Sequence, residues 1–122
     1  MKPTILYVDD DPSMLEVFAA YFREQGYEVT TTESGSKAMQ LADANKYTLA
    51  VFDIHLAGEN GMELLSFFKT NHPTLPVVMY TGLADDEELN DEALARGASG
   101  FLSKKDSLKD VCEAVRSYLP NS

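Results

Sequence analysis

"TILYVDDDP", residues 4–12, passes in nine letters from an apolar run to three adjacent aspartates and a proline. A short run rich in β-branched and aromatic residues reads as a buried strand. Asp11 followed by Pro12 reads as a helix start, a capping carboxylate before a proline at the first helical position. The stretch is therefore strand, loop and helix, with Asp9 and Asp10 at the carboxyl end of the strand. Adjacent carboxylates repel one another and are poorly hydrated beside a hydrophobic core, so something must offset them.

The same alternation recurs outward from this point. Residues 4–8 (TILYV), 27–31 (YEVTT), 47–52 (YTLAVF), 75–80 (LPVVMY) and 99–103 (SGFLS) read as five strands. Between and after them, apolar residues fall at helical spacing: Met14, Phe18, Tyr21 and Phe22; Ala38, Leu41 and Ala42; Met62, Leu65 and Phe68; the segment Leu89 to Ala95; and Leu108, Val111, Cys112, Val115 and Leu119. Gly26 and Gly97 stand where helices stop. Five strand–helix alternations predict an α/β fold: a doubly wound, five-stranded parallel sheet with five helices covering both faces. Ligands of such sheets gather at the carboxyl ends of the strands. The polar residues there are Asp9 and Asp10 after the first strand, Asp53 after the third, Thr81 after the fourth and Lys104 after the fifth.

Composition bounds the function. The 122 residues fit one domain, expected over residues 1–122, and 44% hydrophobic with 25% charged is the composition of an ordinary globular protein. Twenty acidic residues against ten basic ones argue against nucleic acid or an anionic membrane as a direct partner. The lone cysteine, Cys112, cannot form an internal disulfide, and no signal-peptide layout opens the chain, so a cytoplasmic location is expected. Cys112 falls on the apolar stripe of the last helix and is expected to be inert packing.

The stretches "ILYVDDDP", "LAVFDIHLAGENGMEL", "PVVMYTG" and "GASGFLSK", in this order, resemble the receiver domain of two-component response regulators over essentially the whole chain. The resemblance implies a flavodoxin-like sheet of order 2-1-3-4-5. It also implies that Asp53 takes a phosphoryl group from a sensor histidine kinase or a histidine phosphotransfer protein, in a reaction requiring Mg²⁺ or Mn²⁺. Asp10 and Asp53 would be direct metal ligands, Asp9 would act mainly through water, and the backbone carbonyl of His55 would add an oxygen. A divalent ion would then offset the aspartates of the opening stretch. Lys104 and Thr81 would contact the phosphoryl oxygens, and Thr81 with Phe101 would form the switch that alters the partner-binding face. Output would pass to a downstream effector protein or domain, with a phosphorylation-dependent dimer as one form. His55 and Leu83 would flank the approach of water to the phosphoryl group, so that loss of phosphate depends on pH near the histidine range.

Two positions depart from the usual family pattern. Lys105 stands where many receivers have proline, which predicts a differently shaped and more mobile loop, and Ala57 replaces the proline usual before Gly58. Asp11 reads as a helix cap, and the acidic cluster Asp85, Asp86, Glu87, Glu88, Asp91 and Glu92 as support for a helix start. A second reading is a haloacid-dehalogenase-like phosphatase, because Asp9, Asp11 and Ser13 mimic its D-x-D-x-T. A third is a pseudo-receiver that binds partners without phosphate.

Overall fold

The computed structural model describes residues 2–56 and 58–119. In chain order these form β1 (Thr4–Val8), α1 (Pro12–Glu24), β2 (Glu28–Thr32), α2 (Gly35–Ala44), β3 (Leu49–Phe52), β4 (His55–Leu56), β5 (Glu59–Asn60), α3 (Gly61–Asn71), β6 (Val77–Thr81), α4 (Glu87–Ala95), β7 (Gly100–Ser103) and α5 (Leu108–Tyr118). Five strands make one parallel sheet of order β2-β1-β3-β6-β7. This is the expected 2-1-3-4-5 once the small β4–β5 hairpin is set aside. Strand order reverses between β1 and β3, so the crevice of such a sheet opens at their carboxyl ends.

Alternation along each strand builds two cores. Leu6, Val8, Ala50, Phe52, Val77 and Met79 meet α2, α3 and α4 on one face. Ile5, Tyr7, Val51, Val78 and Tyr80 meet α1 and α5 on the other, where Phe18 stacks on Phe22 and lies 4.2 Å from the Tyr7 ring. Because both faces are covered, β1 from Ile5 to Val8 is completely buried, which is why it reads as a continuous apolar run. Cys112 is buried in the α1–α5 core, and burial pushes its thiol above the ordinary range. Among the described residues no helix is long and apolar enough to cross a membrane.

Local signals place the helix ends. Asp11 caps α1 by accepting the Ser13 amide at 2.9 Å, with Pro12 at the first position. Gly26 (φ 97°) lets the chain reverse so that Tyr27 donates to the Phe22 carbonyl at 3.1 Å. Asp86 caps α4, with Glu87 and Glu88 in its first turn.

Four strands begin later than the apolar runs predict. A strand starts only where its neighbour lies opposite, and Leu49 pairs with Ile5 while Val77 pairs with Ala50. Tyr47, Thr48, Leu75 and Pro76 therefore precede their strands, and Thr81 is the last residue of β6 rather than the first beyond it. The β4–β5 hairpin has no sequence signal. Ala57, which stands in place of the usual proline, lies outside the described residues. In the loop after β7, Lys105 and Asp106 donate their amides to the hydroxyl and carbonyl of Ser103, both at 3.1 Å. The Lys105 bond is one that proline could not make.

Candidate functional site

β1 and β3 are adjacent and parallel, so the residues that follow them emerge side by side. Asp9 is completely buried and Asp53 nearly so, while Asp10 is exposed. One oxygen from each of the three carboxylates lies within 4.8 Å of the others. Lys104 leaves the end of β7, where its amide donates to the Thr81 carbonyl at 3.0 Å. Its ammonium donates to Asp9 Oδ2 at 2.7 Å and to Asp53 Oδ2 at 3.0 Å. Part of what offsets the aspartates of residues 9–11 is thus a lysine distant in sequence.

Tyr7 supplies a further partner, its phenol donating to Asp9 Oδ2 at 2.6 Å. The amide of Asp11 donates to Asp9 Oδ1 at 3.0 Å. Asp9 therefore stands with three donors and spare lone pairs, which makes a fully buried carboxylate tolerable. Tyr7 was missed as a site residue by the sequence reading. The signal was its spacing: residues two apart in a strand share a face, so Tyr7 lies beneath Asp9.

The groups perturb one another. Burial pushes the Asp53 carboxyl above the usual carboxylate range, against the pull of Lys104, and the charge of Asp9 adds to the rise. Burial works to lower Lys104, but its bonds to Asp9 and Asp53 outweigh this and hold the ammonium above its ordinary value. Burial, with Asp9, also pushes the Tyr7 phenol upward. Three carboxylates thus lie together, and two of them, Asp9 and Asp53, share the ammonium of Lys104. The surplus charge is negative and the donors are hard oxygens, which fits a divalent metal ion. The cluster can hold one.

The remaining predicted residues lie around this centre. Thr81 is buried and its Oγ1 accepts the Leu83 amide at 3.0 Å, so its hydroxyl proton is left to donate. Phe101 is half-buried and packs against the α2–α3–α4 core. His55 is exposed, and its amide donates to Asp53 Oδ1 at 3.3 Å. Leu83 is 45% exposed. Asp11 is occupied at the start of α1, so its carboxylate serves the helix rather than the cluster.

A family model described as the response regulator receiver domain matches residues 5–116. The regulatory protein VanRB of Enterococcus faecalis is 33% identical over 122 residues, which cover 100% of this chain and 54% of VanRB. The chain thus spans about half the length of that relative. The CheY-like response regulator receiver domain protein of Methanospirillum hungatei superposes with a TM-score of 0.90 at 28% identity, covering 96% of this chain and 93% of that one. The response regulator protein TrrA of Thermotoga maritima, in complex with Mg²⁺-BeF, superposes with a TM-score of 0.85 at 25% identity, covering 98% and 100%. These likenesses and the topology disfavour the phosphatase reading, and the meeting of Asp9, Asp10, Asp53 and Lys104 at one site disfavours the pseudo-receiver reading. The chain belongs to the response regulator receiver domain family of two-component signalling systems.

Proposed function

We propose that residues 1–122 act as one phosphorylation-operated switch in which Asp53 is the phosphoacceptor. The observation that carries this reading is the position of Asp53, buried at the switch point with Lys104 at 3.0 Å and the other two carboxylates beside it. A carboxylate oxygen of Asp53 attacks the phosphorus of a phosphohistidine on a sensor kinase or phosphotransfer protein. The P–N bond breaks and its electron pair returns to the imidazole. Asp9, Asp10, Asp53 and the His55 carbonyl would hold Mg²⁺, which supplies neutralising charge for the phosphoryl oxygens. The Mg²⁺ named with TrrA supports that choice of metal.

Lys104 then leaves its carboxylate partners for a phosphoryl oxygen, and Tyr7 remains to satisfy Asp9. Thr81 donates its hydroxyl to another phosphoryl oxygen, and Phe101 repacks as the β6 end shifts, altering the face offered to an effector. Hydrolysis returns the carboxylate: water attacks phosphorus, the P–O bond to Asp53 breaks, and inorganic phosphate leaves. His55 and Leu83 flank that approach. The protein is on this reading a signalling switch of the cytoplasm that catalyses its own phosphoryl transfer and hydrolysis.

Mass spectrometry after treatment with acetyl phosphate and Mg²⁺ tests the assignment. The expected result is one added phosphoryl group in the wild type and none in Asp53→Asn. Labelling that survives Asp53→Asn would move the site elsewhere.

A further inference from the structure

The first amides of α2 point at a residue from another part of the chain. Gly35 donates to Glu59 Oε1 at 2.8 Å and Ser36 to Glu59 Oε2 at 3.1 Å, while Lys37 donates to the Ser34 hydroxyl at 3.2 Å. The opening donors of the helix are all met, two of them by one carboxylate from outside it. A carboxylate is the favoured partner at this end of a helix dipole. Glu59 belongs to β5, which pairs Leu56 with Glu59 and His55 with Asn60.

The base of this hairpin is fixed separately. Asn60 Oδ1 accepts the Met62 amide at 2.8 Å to start α3, and Gly61 donates to the Ile54 carbonyl at 2.9 Å. A side chain at Gly61 would overlap the Asp53 carbonyl, so α3 begins directly against the backbone of Asp53 and Ile54. Strands of two residues cannot hold a hairpin by themselves. The Glu59 contact with α2 supplies a second anchor, on the strand facing His55.

We propose that Glu59 is a positioning residue, holding the β4–β5 hairpin so that the His55 backbone carbonyl is preset as a ligand for the cation of the Asp9–Asp10–Asp53 cluster. This rests on the metal-dependent reading of that cluster. It assigns to α2, which offers no ligand of its own, a part in metal affinity.

The contact can be broken from either side. A methyl group at Gly35 would sit 2.9 Å from Glu59 Oε2, the movable end of a flexible side chain, so Gly35→Ala displaces the carboxylate and leaves the helix intact. Free Mn²⁺, read by electron paramagnetic resonance during titration of the full chain, reports affinity without any phosphorylation. Glu59→Ala and Gly35→Ala should each weaken Mn²⁺ binding about tenfold, the low end of what loss of a ligand-orienting group costs. Their metal-free thermal midpoints should fall by no more than the few degrees that loss of a helix-end acceptor costs in a domain of this size, and Glu59→Gln, which keeps an acceptor, should recover most of the affinity. Unchanged affinity in Glu59→Ala would overturn the proposal. So would Glu59→Gln behaving like Glu59→Ala, which would make the effect one of charge alone. Absence of Mn²⁺ binding in the wild type would overturn the metal-dependent reading itself, and the proposal with it.

Discussion

The two ends of the parallel sheet hold similar residue types in opposite states. At the amino end a cavity of about 680 Å³ lies between the segments 42–48 and 71–76. There His72 and Asp43 meet at 3.2 Å, through side chains 24% and 67% exposed. At the carboxyl end, Lys104 meets Asp9 at 2.7 Å, with side chains 21% and 0% exposed. The amino end is chemically quiet, because the side chains it brings together keep their contact with water. The carboxyl end is where charges have been taken out of water, and there a missing or added charge matters strongly.

Asp10→Asn should break that contrast most severely, because under the proposed function it removes a charged oxygen ligand from the cluster. Titration with Mg²⁺ or Mn²⁺ should show affinity lowered by about 10- to 100-fold, the scale on which metal sites respond to lost ligand support. The neighbouring Asp11→Asn should leave affinity unchanged, since asparagine caps α1 about as well. Equal losses from the two would collapse the division of roles between adjacent aspartates.

Lys104→Ala comes next. It leaves Asp9 and Asp53 without their cation, and urea unfolding in chelator should show a loss of about 2–3 kcal/mol, somewhat below the range for a fully buried pair because Lys104 retains some solvent contact. Metal binding should survive or tighten, so added Mg²⁺ should restore more stability to this variant than it adds to the wild type. A variant that no longer binds metal would contradict the role proposed for Lys104 as a phosphoryl contact.

Asp53→Asn sharpens the comparison in the other direction. Burial first, then Asp9, hold the Asp53 carboxyl above its unfolded value despite Lys104. Such a group supports folding below its unfolded value and costs stability as pH rises through its folded value. In chelator at neutral pH, Asp53→Asn should therefore be more stable than the wild type by roughly 1 kcal/mol, a rise of several degrees in midpoint for a domain of this size. The advantage should shrink as pH falls and Asp53 takes up its proton. A gain that persists unchanged in acid would trace to packing instead. At the amino end, Asp43→Ala should move stability by no more than about 0.5 kcal/mol, as befits an exposed pair. A loss as large as that of Lys104→Ala would erase the distinction between the two ends.

The order of strands and helices was open to the sequence because its signals are local: the β-branched runs, the Asp11–Pro12 start of α1, the reversals at Gly26 and Gly97, and the stripe of α5 each depend on neighbours within a turn or two. From that order the carboxyl edge follows, and with it Asp9, Asp10, Asp53, Thr81 and Lys104 as the residues to inspect. Tertiary structure decided where each strand begins, since Leu49 and Val77 start theirs only because Ile5 and Ala50 lie opposite. It also decided what neutralises the aspartates, Lys104, 95 residues from Asp9, and what meets the first amides of α2, Glu59, 24 residues from Gly35. No periodicity carries such contacts, because hydrogen bonds between distant segments depend on distances that exist only after the chain has folded.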